Sequence, residues 1–555
     1  MKKTLVILGM VFLSAWLLNS CIKDNFDFDK WDGEVNWNPE FIAPALWCDL
    51  SIAEAIVAYD TTIQLIENEQ GFISLKYNTH VSSRKISEVI YLPDQEFNGL
   101  IHSMLIDFSG FNQTGDVLSG SLPGLMSFTM FNNEAEIDTV LLKAGVLNSV
   151  VQSTFKHTLQ LEFVFPTITK DGQALKLTFF FPPTGGYQAT SNVDVTGYKA
   201  DMTQTTQGYN EVPVEINYTF YHSGSADNSG MILFDSDFTG LNYSWMTGYF
   251  GYNSLIFESD TLDINIFKNE NFNVDEYYFQ DPKFKVFYKN SYGIPTNFYF
   301  TEMFAQSKIN GQNYSIIDYE NGLPLDSLHP YNVSFPYLFG TVREDSIILH
   351  RNNSNIPQVI SIQPKWIQFI AHAHTNPYST SHNNFVSDQS SLDAEVVVEL
   401  PLWGYIDNFH ARDTAEFDFD DIYGTAKIIK RLAVRLDMHN GFPVEGHGQI
   451  YFLDENYMVL DSLLQSVQDR IIPAATVDAN GRVIDFADKL TIIEMTDDKI
   501  EMIKNTKYII YEGHTNSSEY TSHKLVKVYG DYRMKFDVSF ELDLGVNVDI
   551  DTLNN

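Results

Sequence analysis

His372 and His374 are separated by one residue, and on a strand that spacing sends both imidazoles to one face, where they could share a metal ion. His382 stands close enough along the chain to join them across a turn. The pattern fixes no third ligand, and Asn376-Pro377 marks a strand end near solvent, where histidines also occur as ordinary polar residues. Aspartates offer a harder donor set. Asp418-Phe419-Asp420-Asp421 and Ser225-Ala226-Asp227-Asn228-Ser229-Gly230 carry oxygens suited to calcium, although neither has EF-hand spacing and both also read as strand face or turn. A third chemistry is stacking. Tyr243, Trp245 and Tyr249 crowd one stretch with Phe250 and Tyr252, and exposed rings of this kind offer flat apolar faces to sugars. The same rings would equally pair across strands or fill a core.

The chain has no Gly-x-Ser-x-Gly elbow, no His-Glu-x-x-His, no Gly-x-Gly-x-x-Gly and no phosphate-cradling loop. That removes enzymes built on those motifs. A glycosidase needs only two carboxylates at the right separation in space, a pattern invisible among 72 acidic residues. A carbohydrate-active hydrolase, or its accessory subunit, therefore stays beside non-catalytic binding as a reading.

Cys21 carries a different chemistry. Lys2 and Lys3 precede an apolar run from Leu5 to Leu18, which is short for a bilayer-spanning helix and suits a signal peptide. Leu18-Asn19-Ser20-Cys21 resembles a bacterial lipobox, which implies cleavage before Cys21 and acylation of its thiol. Two or more acyl chains give stable anchoring where one does not. Lys23, Asp24, Asp27 and Asp29 follow at once and resemble the acidic export segment of Bacteroidota surface lipoproteins, which implies the outer face of the outer membrane. Eight Asp-Ser/Thr triplets followed by an aliphatic or small residue, such as Asp260-Thr261-Leu262, resemble O-glycosylation sites of the same bacteria.

Composition narrows the partners. The formal charge of −37 becomes −39 once Lys2 and Lys3 are removed, and such a surface repels phosphate backbones and anionic lipid. Nucleic acid is an improbable partner on that ground; a divalent cation, a neutral glycan or an envelope protein is compatible. With lipid on Cys21, Cys48 has no intramolecular partner, so no disulfide is expected, and beside Trp47 it reads as a small buried apolar residue.

The elements that must hold these groups are mostly strands. Alternation places Val212, Val214, Ile216, Tyr218 and Phe220 on one face, repeats at Leu262, Ile264 and Ile266, and runs from Tyr532 to Ile550 as one strand or as two joined at Gly545. Asn480-Gly481 predicts a hairpin. Helices are few: Ser51 and Glu54 form a possible capping box, and Asp497-Asp498 opens a short helix carrying Ile500 and Ile503. Strands ending in Asn and then Pro recur around Asn290, Asn376 and Asn440, and this resembles the LEA type 2 β-sandwich family. The expectation is a mainly β protein of tandem antiparallel sandwich-like domains: signal peptide 1–20, acidic tether 21–47, and β domains at 48–267, 268–356 and 357–555. Its expected role is a non-catalytic, surface-displayed lipoprotein that binds a glycan or an envelope protein; a structural envelope component is the further alternative.

Overall fold

The computed structural model describes residues 34–549, apart from 38, 52–53, 55–62, 257–259, 269–271, 320–322, 325–329, 379–381, 418–428, 467–468 and 545. Cys21, the segment Lys23, Asp24, Asp27 and Asp29, the aspartates at 418–421 and the side chain of Cys48 lie outside what is described. The fold is mainly β, built from several antiparallel sheets. No helix among the described residues is long and apolar enough to cross a membrane.

Local patterns explain many elements. Val212, Val214, Ile216 and Phe220 are the buried face of the strand Glu211–Tyr221. The C-terminal alternation is carried by the strands Arg533–Leu544 and Val546–Asp549. At the Asn480-Gly481 turn, Gly481 takes φ +80°, the left-handed region a side chain disfavours, and Thr476–Val477 pairs with Val483–Asp485. Thr496 caps the helix Asp497–Ile503, its hydroxyl accepting the N–H of Lys499 at 3.3 Å. Ser51 and Glu54 exchange backbone-to-side-chain bonds of 2.8 and 3.2 Å. One alternation misleads: the strand Asp260–Asp263 ends before Ile264, and Ile266 lies in the 3-10 turn Asn265–Phe267.

The chain forms two compact units, one of 1–55, 271–276 and 405–555, the other of 56–270 and 277–404. These cut across the consecutive segments 48–267, 268–356 and 357–555, because antiparallel pairing joins distant strands. Glu40–Ser51, partly within the stretch expected as a tether, pairs with Arg533–Leu544.

Each unit holds a sandwich of the same strand order. In the second unit one sheet runs Arg343–Leu349, Lys283–Asn290, Ser391–Pro401, Ile73–Lys85. The facing sheet runs from Asn253–Ile256 and Asp260–Asp263 through Pro364–Thr375 to Thr296–Ser307. In the first unit the matching sheets are Ala487–Met495, Ile429–Asn440, Arg533–Leu544, Glu40–Ser51, and Trp403–Glu416, Tyr508–Ser517, Val444–Leu453, with Tyr405 onward belonging to this unit. A short helix stands at the same place in both, Ile356–Ser361 and Asp497–Ile503. Individual bonds repeat: Asn376 N–H donates to the Pro295 carbonyl at 2.7 Å, and Ser518 N–H to the Pro443 carbonyl at 2.8 Å. Phe284 meets Phe369 between the sheets of one sandwich, while Phe452, Met495 and Ile503 centre the core of the other.

The second unit also contains a ten-stranded sheet, nine of whose strands lie in the chain between Ile73–Lys85 and Asn253–Ile256 and whose tenth is Asn384–Ser387. Two long strands, Glu136–Ser153 and Met231–Tyr249, pair with each other and each also serves two further neighbours along its length, so the sheet folds over a core of phenylalanines. Phe97, Phe163 and Phe234 meet at 4.9–6.1 Å there. Burial of each ring contributes about 1.5–3 kcal/mol.

Candidate functional site

The strand Asn384–Ser387 pairs with residues 245–248 of Met231–Tyr249, and this pairing brings His382 onto the neighbouring strand Glu136–Ser153. His382 Nε2 lies 2.6 Å from Glu136 Oε2, and its Nδ1 lies 3.1 Å from Asp138 Oδ1. Tyr209 and Tyr249 flank the imidazole at 6.0 and 6.3 Å. Burial alone would lower the pKa of His382, but Asp138 and Glu136 outweigh it and hold the ring above its ordinary value. Close approach of the strands depends on Gly248, where φ is +144° and a Cβ would sit 2.3 Å from the Glu136 carbonyl oxygen.

Beside this cluster opens a groove of about 660 Å³, whose walls include Asp138, His382, Asn384, Phe335, Tyr337 and Phe385. Tyr337 is 74% exposed, whereas Asn384 is 3% exposed and its Oδ1 has no hydrogen-bond partner among the described residues. Trp245 meets Phe339 at 6.0 Å, and Phe339 meets Phe385 at 5.6 Å, so an aromatic row borders the polar cluster.

The residues singled out in the sequence separate here. Tyr249 and His382 come together, and the half-buried Trp245 joins the aromatic row. Tyr243 does not: it is 1% exposed, and its hydroxyl donates to the Ile90 carbonyl at 2.8 Å, which leaves no face for a ligand. Irregular pairing between Tyr243 and Trp245 shifts the register and breaks the simple alternation. His372 and His374 do lie on one strand, both against Tyr299, at 5.6 and 5.3 Å. Burial, followed by the neighbouring His372, holds the pKa of His374 below its ordinary value. His382 gives its nitrogens to Glu136 and Asp138 instead of joining that pair. Asp227, an expected calcium donor, has its carboxylate on Lys156 at 2.8 Å and on the Ser229 N–H at 3.0 Å. Among the described residues no three His, Cys, Asp or Glu side chains already converge as metal ligands.

No family model matches this chain, and no curated protein matches it. Among solved structures, a Parabacteroides distasonis protein described as secreted is 13% identical over 54% of this chain and 89% of its own, with a TM-score of 0.27. A structure of infectious bursal disease virus, Gx strain, is 7% identical over 91% of this chain and 88% of its own, with a TM-score of 0.15. PNGF-II is 9% identical over 73% and 99%, with a TM-score of 0.14. Superpositions this loose bear on neither the fold nor the activity of this chain.

Proposed function

We propose that the protein is a secreted lipoprotein, held by acyl chains on Cys21 at the outer face of the outer membrane, that binds a neutral glycan without cleaving it. The observation behind binding is the groove beside His382, which sets the exposed ring of Tyr337 next to fixed polar groups, the combination that stacks and orients a sugar. Glu136 and Asp138 are both engaged by His382, which favours recognition over hydrolysis by a carboxylate pair. The strong negative charge favours a neutral partner over an acidic one. The buried Asn290 and Asn440 support reading both sandwiches as LEA type 2-like modules.

An envelope protein is the second reading, favoured by the exposed apolar run Tyr337, Leu338 and Phe339 at the mouth of the groove. A glycan array probed with the body lacking residues 1–21 tests the first. Binding that is lost in Tyr337→Ala is the expected result, and no glycan retained by the unaltered body would remove it. For the anchor, Cys21→Ala should abolish acylation and membrane retention in the native host; unchanged retention would refute that part.

A further inference from the structure

His410, His447 and His514 form a row across three adjacent strands of the first unit. His514 is the central member, directly opposite His410 on one side and His447 on the other. Direct cross-strand partners project to the same face with Cβ atoms about 4.5–5.5 Å apart. His447 differs in parity from Ile450 and Phe452, which turn to the core, so the row occupies the outer face of this sheet. We propose that these three histidines, with Glu512, form a binding site for a divalent transition metal of the zinc class.

Three imidazoles and a carboxylate are a donor set that zinc accepts in tetrahedral geometry. Two further observations point to a ligand. Nδ1 of His410 is buried and has no hydrogen-bond partner among the described residues, although its ring lies 5.5 Å from that of His514. His514 is already oriented as a ligand: its Nδ1 lies 2.7 Å from Asn408 Oδ1, the outer contact that fixes a metal-bound imidazole, and its Nε2 is 3.0 Å from Glu512. His447 Nε2 rests 3.4 Å from Glu445, whose carboxylate also meets Arg470 at 3.0 Å. The side chains as they stand do not converge, but strand register has already aligned their backbones, so closing on an ion takes side-chain rotation alone.

The second sandwich supplies an internal control. Its counterpart of His514 is His372, three residues before Thr375 as His514 is three before Ser517. There the cross-strand partners are Tyr299 and Ile256, so the counterpart keeps one imidazole of the three.

The test uses the full chain without an affinity tag, purified in detergent and stripped with a chelator, then titrated with zinc chloride by calorimetry and with cobalt chloride by absorption. One zinc per chain is expected, with affinity reduced at least tenfold (about 1.4 kcal/mol) in His410→Gln and in His514→Gln and unchanged in His372→Gln. Cobalt should give ligand-field bands of a four-coordinate site. Thermal melting of the metal-free variants separates lost ligands from lost fold. If either variant unfolds, the cobalt spectrum of the unaltered chain decides, and absence of those bands overturns the site. Zinc binding that survives both substitutions in folded protein also overturns it.

Discussion

Asn290 and Asn440 occupy the same point of two separate sandwiches, each fully buried and each accepting, through its side-chain oxygen at 2.8 Å, the backbone N–H two residues further on, that of Tyr292 and that of Phe442. Their amides then reach a third segment, donating to the Ser334 carbonyl at 3.2 Å in one case and the Pro473 carbonyl at 2.7 Å in the other. One side chain thus ends a strand, turns the chain and pins a neighbouring loop. Leucine at either position would leave a backbone N–H and at least one carbonyl buried without a partner. Each such group costs about 1–3 kcal/mol, so Asn290→Leu and Asn440→Leu should each destabilise by about 2–4 kcal/mol. Hydrogen exchange should place the loss around residues 283–300 in the first variant and 429–446 in the second. Unaltered protection in both would show that the bonds contribute nothing net.

Tyr243 and Tyr337 should respond in opposite ways. Tyr243→Phe removes the buried donor to the Ile90 carbonyl and should cost about 1–3 kcal/mol in denaturant unfolding while leaving glycan binding intact. Tyr337→Ala alters an exposed ring, so stability should stay within about 0.5 kcal/mol while binding weakens. A reversed outcome would move the binding face away from the groove.

The folded value of His382 lies above its ordinary one, so its contribution to stability is complete below the unfolded pKa, about 6.5, and fades as pH rises through the raised folded value. The strand Asn384–Ser387, two residues away, should therefore lose exchange protection as pH is taken from about 6 to about 9, after correction for intrinsic exchange. His382→Gln should flatten that dependence. A profile as steep in the variant as in the unaltered chain would assign the effect to another group.

Much of the β architecture was legible because alternation is local. Val212 to Phe220, the turn at Asn480-Gly481 and the helix after Thr496 follow from residues within a few positions of one another. The site was not. His382 meets partners 244 and 246 residues away, and the row of His410, His447 and His514 exists only through register between strands. Sequence spacing drew attention to His372 and His374 because they are neighbours in the chain, whereas the denser imidazole row is assembled across the sheet. The choice between stacking face and core at Tyr243 is not legible for a related reason: irregular pairing resets which face a residue shows, and single residues do not announce it.

Gly248 joins fold and site most directly. It lies opposite Ile137 in a strongly left-handed conformation, and a Cβ there would meet the Glu136 carbonyl oxygen at 2.3 Å, backbone that cannot swing aside. Gly248→Ala must therefore push apart the strands that carry Glu136 and the segment leading to His382. Gly110 provides a comparison, since its φ of +79° is also positive but nothing lies within 4 Å of its would-be Cβ. Gly110→Ala should cost about 1–2 kcal/mol through backbone strain alone and leave His382 unaffected. Gly248→Ala should cost more, and the NMR titration of His382 should fall back toward its ordinary value as the carboxylates withdraw. If His382 titrates alike in both variants, close packing at Gly248 does not set the geometry of the cluster.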